Sequence, residues 1–160
     1  MKRTGIFFLM LIAVSYAHAN FLTSALAQKM NVHEAASVQQ DPFFNDHALV
    51  FFFSSQCPYC QQFAPIVKQY SISHGASILA LSFDNQPVAP FADFMPVTTE
   101  WINEAYAGKP ITYPALFIAN LRAQLLYPVA FGAMESQALE ERLADIKAKI
   151  VQYEAKGQSL

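Results

Sequence analysis

The sequence predicts an α/β fold in which a central mixed β-sheet is flanked by helices, and three observations carry that expectation. Two apolar runs of strand length, residues 48–53 and 78–83, are bounded by polar residues and separated by a stretch with helical spacing. Two further short runs, residues 115–119 and 124–130, are joined by the turn Asn120-Leu121-Arg122-Ala123 and suit a hairpin. Leu139, Leu143, Ile146, Ile150 and Tyr153 then form one apolar stripe, as the core face of a last helix would. The order is β-α-β-α-β-β-α.

Ahead of these elements stands a segment with the layout of a secretory signal. Lys2 and Arg3 precede an unbroken apolar run at residues 6–14, and Ala17-His18-Ala19 offers a small-x-small cleavage pattern. Residues 1–19 are therefore expected to be removed. Ala25-Leu26-Ala27 gives an alternative end at residue 27. An uncleaved anchor is the competing reading, but the run is shorter than the roughly 20 residues a spanning helix needs. Residues 20–46 read as an N-terminal extension and 47–156 as a single folded domain, which suits a 160-residue chain with 54% hydrophobic residues. Loss of Lys2 and Arg3 leaves 8 basic residues against 12 acidic ones, a formal charge of −4. With no basic cluster, neither nucleic acid nor an anionic membrane has an electrostatic footprint.

Within the extension, Phe21, Leu22, Ala25 and Leu26 can start a helix that residues 30–38 continue, with a break at Asp41-Pro42. Asn45-Asp46-His47 reads as a turn into the first strand. Pro58 suits a first helical position, where its missing N–H costs nothing. Phe63, Ile66, Val67 and Tyr70 recur at helical spacing until His74-Gly75 ends the element, and Pro65 should kink it. Residues 84–97 contain Pro87, Pro90 and Pro96 and read as a long loop with a turn near 91–94. Thr98 or Thr99 can cap a helix that runs to Ala107 and stops at Gly108. Ser136 is the expected cap of the last helix.

Cys57 and Cys60, in Cys57-Pro58-Tyr59-Cys60, are the only cysteines. Four readings compete for them. A zinc site needs about four ligands, and the histidines do not stand at paired ligand spacing. Copper handling lacks a Met-rich or His-rich tract. A structural disulfide over so small a loop would constrain little of the unfolded chain. The fourth reading, a redox-active dithiol, rests on placement. At a strand-to-helix junction Cys57 lies near the helix N-terminus, where free N–H groups and the dipole stabilise a thiolate. Cys60, one turn on and more buried, would resolve the mixed disulfide. Catalytic roles thus fall to Cys57 as nucleophile and Cys60 as resolver, with no bound cofactor or metal.

Those residues resemble the thioredoxin superfamily. Cys57-Pro58-Tyr59-Cys60 is similar to its active-site motif, Pro65 to its helix proline, and Thr112-Tyr113-Pro114-Ala115 to its cis-proline loop. Gly132 follows the last strand as in thioredoxin. The resemblance implies a thioredoxin-like fold over about residues 48–153. It also implies that a client chain pairs with the Tyr113 backbone, with Pro58, Tyr59 and Pro114 beside it. More narrowly, the exported layout resembles the TrbB-like proteins of F-type conjugative transfer, which are periplasmic and associated with disulfide isomerase activity, and the related TraF-like pilus-assembly proteins. Two departures count. Phe51 stands six residues before the nucleophile, where thioredoxin has a buried aspartate, and Gln56 replaces its tryptophan. Too few residues precede the first strand for the separate dimerisation domain of DsbC-type isomerases.

The resemblance therefore implies a periplasmic thiol–disulfide oxidoreductase or isomerase. Its partners would be cysteine-containing client proteins of a secretion or conjugation system and a redox partner that recycles the dithiol. An oxidising compartment favours isomerase or oxidase over reductase. The alternative is a non-catalytic thioredoxin-fold assembly or chaperone module of a conjugative pilus or type IV secretion system. In that reading Phe43, Phe44, Phe91, Phe94 and Trp101 could line a partner surface. His47 and Asp84 read as turn residues at strand ends rather than members of the site.

Overall fold

The computed structural model describes residues 40–157; the signal-type segment, both cleavage patterns and the helix expected between residues 21 and 38 lie outside the described residues. A 3-10 helix, Pro42–Asn45, leads in, capped by Asp41 Oδ1, which accepts from the Phe43 N–H at 3.0 Å. It is followed by β1 (His47–Phe53), α1 (Pro58–His74), β2 (Ile78–Ser82), β3 (Met95–Pro96), α2 (Thr99–Tyr106), β4 (Ala115–Asn120), β5 (Leu125–Phe131) and α3 (Ser136–Gly157). The strands form one sheet in the order β3-β2-β1-β4-β5. The β1–β2 and β2–β3 pairs are parallel, and β1–β4 and β4–β5 antiparallel. This is a thioredoxin-like fold, a mixed five-stranded sheet flanked by three helices.

Strand β1 is central and buried at every position, so it reads as a continuous apolar run rather than an alternation. Its side chains still divide between two faces. Leu49, Phe51 and Phe53 meet α1 through Phe63, Ala64 and Val67 and α3 through Leu139, Leu143, Ile146 and Ile150. On the other face Val50 and Phe52 meet Tyr106, with Trp101 and Ile102 of α2 packed against them. That second face is knit by aromatic edge contacts, among them Phe52–Phe117 at 5.5 Å.

Several expectations are corrected. The loop over residues 84–97 hides β3, whose Pro96 pairs with Ser82; a proline is tolerated there because β3 is an edge strand. The turn expected near 91–94 lies earlier, where Phe91 bridges to Val88. Helix α2 ends one residue before the anticipated stop, because Ala107 itself takes the left-handed conformation (φ 47°) ahead of Gly108. Ser136 is inside α3, not its cap: the Leu139 N–H donates to the Glu135 carbonyl, which places Glu135 at the cap. Tyr153 leaves the apolar stripe and is 64% exposed. Helix α1 runs unbroken through Pro65, as expected in extent, and stops at left-handed Gly75. Asp41, at the end of the extension, is tied to the domain by its N–H on the His74 carbonyl (3.1 Å) and by an ion pair with Lys147.

Candidate active site

The parallel register places the ends of β1 and β2 side by side, with Phe53 opposite Ser82. Whatever follows each strand therefore meets at the same edge of the sheet. After β1 the chain turns through Ser54-Ser55-Gln56, closed by the Cys57 N–H on the Ser54 carbonyl at 3.2 Å, and enters α1. Cys57 is the helix N-cap. Its Sγ accepts from the Cys60 N–H at 3.3 Å, and the Gln61 N–H takes its carbonyl at 3.1 Å. The sulfur is thus aimed at an otherwise unpartnered donor of the first turn, the position that favours negative charge.

The two thiols are unequal. Both are free; Cys57 is half-buried, whereas Cys60 has no exposed surface. Burial, with the neighbouring Cys57 and Asp84 adding to it, pushes the Cys60 thiol up to about 12. Opposite them, the Tyr113–Pro114 peptide bond is cis, and the Tyr113 carbonyl lies 4.0 Å from Cys57 Sγ. Pro114 is buried, its carbonyl accepting from the Gly132 N–H at 2.7 Å. Tyr113 is 43% exposed, its ring 5.3 Å from that of Phe83, and Tyr59 is 64% exposed. Pro58 is exposed at the first helical position. All six residues singled out in the sequence thus converge on one edge of the molecule.

Phe51 is wholly buried between the rings of Phe53, Phe63 and Phe91, so no ionisable group occupies its position. An acid does reach this edge from elsewhere. Asp84, just after β2, takes the Ser54 hydroxyl (2.9 Å), the Ser55 hydroxyl (2.8 Å) and the Ser55 N–H (2.9 Å) on one carboxylate oxygen. Its other oxygen lies 2.9 Å from Ser82 Oγ. Partial burial raises the Asp84 carboxyl, but these donors outweigh it and hold it well below the usual carboxylate range. By its place in the sequence Asp84 reads as a turn residue; the signal that could place it at the site is the parallel pairing of the two runs that precede Ser54 and Asp84.

His47, which reads likewise as a turn residue, sits at the opposite end of β1. Its Nε2 is 3.2 Å from Glu154 Oε1, which also accepts from Asn120 Nδ2 (2.7 Å) and the Tyr127 hydroxyl (3.0 Å). This set borders a cavity of about 670 Å³, and another of about 530 Å³ lies by Trp101 and Leu126; both are away from the dithiol. A cleft of about 380 Å³ does adjoin it, lined by Tyr59, Gln62, Ile66, Ala133 and Met134. Of the aromatics considered as a partner surface, Phe44 and Phe91 are buried and Phe43, Phe94 and Trp101 pack against the core. No group of three or more His, Cys, Asp or Glu side chains among the described residues is placed to hold a metal ion.

With that geometry in view, a family match decides the chain's kinship. The model of the family described as TraF, F plasmid transfer operon protein, matches residues 13–144. The chain belongs to this family. Within it, the chain is similar to Protein TrbB of Escherichia coli (strain K12), 28% identical over 98 residues that make up 61% of this chain and 54% of that protein. The chain therefore spans about half the length of the curated relative it matches. Among solved structures, StoA from Bacillus subtilis is 19% identical with a TM-score of 0.42, covering 64% of this chain and 85% of its own. A thiol:disulfide interchange protein of the thioredoxin family from Chlorobium tepidum TLS is 18% identical with a TM-score of 0.43, covering 63% and 82%. No helix among the described residues of this TraF-family chain is long and apolar enough to cross a membrane.

Proposed function

We propose that this TraF-family chain is a periplasmic thiol–disulfide oxidoreductase of the isomerase or oxidase kind, acting on cysteine-containing proteins of a conjugation or secretion system. The observation that carries the reading is the asymmetry of the dithiol: a half-exposed Cys57 capped onto a helix N-terminus, a fully buried Cys60 one turn behind, and the Tyr113 carbonyl, just before the cis-proline, facing the first sulfur. A client disulfide laid across the Tyr113 backbone puts one of its sulfurs within reach of Cys57. The Cys57 thiolate attacks it, the client S–S bond breaks, and the departing client sulfur carries off the electron pair and takes a proton from water.

The resulting mixed disulfide has two exits. A second client thiolate can attack the client sulfur, giving a rearranged client and returning Cys57 reduced. Alternatively Cys60 attacks Cys57, releasing a reduced client and leaving Cys57–Cys60 oxidised for a separate redox partner to recycle. Run backwards, the second exit donates a disulfide. Burial and protonation of Cys60 slow its attack and so support the first exit. No cofactor enters either route.

The test is refolding of a scrambled-disulfide protein with catalytic amounts of the full chain. Recovery that is lost in Cys57→Ser but largely kept in Cys60→Ala supports isomerisation. Recovery that survives Cys57→Ser would sink the enzyme reading and leave the assembly-module alternative, in which host conjugation is indifferent to Cys57.

A further inference from the structure

One carboxylate near the dithiol is not used by the reaction as described, and its bonding is unusually concentrated. Asp84 sits just past the end of β2, yet three of its four donor contacts come from Ser54 and Ser55, two of the three residues that lead from β1 to Cys57. The same turn is pinned from the other side by Gln61 Nε2 on the Ser55 carbonyl at 2.8 Å. Asp84 also bears on Cys60: the Ser54 backbone, beside the hydroxyl that Asp84 holds, favours the Cys60 thiolate, whereas the carboxylate charge opposes ionisation of that thiol. The titratable groups that reach Cys60 are Cys57, Asp84 and, from α2, Tyr106. Asp84 is the one among them whose burial is outweighed by donors that keep it charged.

The geometry points to Asp84 as a positioning residue that clamps the Ser54-Ser55 turn under Cys57 and, by its fixed charge, delays attack by Cys60. This rests on the reading of Cys57 and Cys60 as a redox pair. The delayed step is the second exit: the Cys60 proton passes to solvent, the Cys60 thiolate attacks Cys57 Sγ, the Cys57–client S–S bond breaks, and the client thiolate leaves with the electron pair. A like charge nearby disfavours the thiolate and so lengthens the life of the mixed disulfide. A longer life gives a second client thiol time to attack, which is what isomerisation requires and oxidation or reduction does not. In this fold a charge at the end of β2 substitutes for nothing at Phe51; it works in the opposite sense to a proton acceptor.

The test needs no client. The full reduced chain, mixed with dithiobis(nitrobenzoate), releases one aryl thiolate as Cys57 is capped and a second as Cys60 resolves the cap. Each unit by which the Cys60 thiol becomes more acidic gains tenfold in thiolate and loses about threefold in nucleophilicity, a net gain of about threefold. Asp84→Asn keeps an acceptor for the Ser55 N–H and removes the charge. The expected result is a second phase about two- to threefold faster at neutral pH, with the first phase little changed. A second phase that is unchanged or slower overturns the assignment, and so does an equal change in both phases, which would report a merely loosened turn. Should Asp84→Asn fail to fold, Ser55→Ala carries the test. It keeps the charge, strips one donor that damps it, and should slow the second phase about twofold; an unchanged or faster phase overturns the assignment. If the phases behave as expected but the chain refolds no scrambled protein, Asp84 keeps this role and the proposed function fails.

Discussion

Replacing Phe51 with aspartate would give this chain the buried acid that thioredoxin carries six residues before its nucleophile, and the structure says what it would cost. Phe51 has no exposed surface and lies 5.4–6.1 Å, ring to ring, from Phe53, Phe63 and Phe91. Removing a buried phenyl costs about 3–5 kcal/mol. A carboxyl left there without a partner adds about 1–3 kcal/mol even when it stays protonated. The total, about 4–8 kcal/mol, approaches the roughly 5–15 kcal/mol that stabilises a domain of this size. Urea denaturation at pH 7, reading far-UV circular dichroism, should show Phe51→Asp unfolded or close to it, with Phe51→Leu losing about 1–2 kcal/mol at most. A loss below about 2 kcal/mol for Phe51→Asp would refute the reasoning, because it would mean that water or a polar partner reaches this part of the core.

Other expectations follow from single environments. Iodoacetamide under native reducing conditions should modify Cys57 and spare Cys60, by peptide mapping, until denaturant exposes the second thiol; equal labelling would contradict the burial of Cys60. Glu154→Ala removes an acceptor shared by side chains of β1, β4 and β5, stranding the Asn120 and Tyr127 donors, and should lower stability by about 1–3 kcal/mol, discounted for partial exposure of the carboxylate. Burial raises the Glu154 carboxyl, but its Asn120, His47 and Tyr127 partners hold it below its ordinary value, and Asp84 is lowered too. Groups so depressed stabilise the fold above their unfolded values near pH 4, and that contribution is lost as pH falls through the folded ones. The acid limb of a stability–pH curve should therefore flatten in Glu154→Ala, and an unaltered limb would count against the network. On α3, Leu143→Ala should cost about 2–5 kcal/mol and Tyr153→Ala under about 1 kcal/mol, since one is fully buried and the other mostly exposed.

Much of this architecture was legible because the strongest signals coincide with the most buried elements. The run from Ala48 to Phe53 is apolar at every position because both faces of β1 are covered, and Pro58, Pro65 and Gly75 punctuate α1 where the physics of each residue allows. The Cys57-Pro58-Tyr59-Cys60 motif and the Tyr113-Pro114 step lie far apart in the chain, yet both sit at strand ends, so the strand order brings them together. What was not legible depends on tertiary pairing. β3 is two residues long and contains a proline, so no local pattern marks it; only the exposed edge of β2 selects it. Tyr153 keeps helical register with Leu139 but lies toward the end of α3, past the last buried turn. Asp84 looks like any turn residue until the register of β1 and β2 places it beneath Ser54 and Ser55.

The central claim is that Cys57 is the attacking sulfur and Cys60 its resolver. The most direct measurement is mass-spectrometric mapping of disulfide-linked species formed by the full chain carrying Cys60→Ala in a disulfide-forming periplasm. Client proteins joined through Cys57 should accumulate, and should vanish in Cys57→Ser. A Cys60→Ala chain that accumulates no mixed disulfide, while Cys57→Ala traps clients through Cys60, would contradict it.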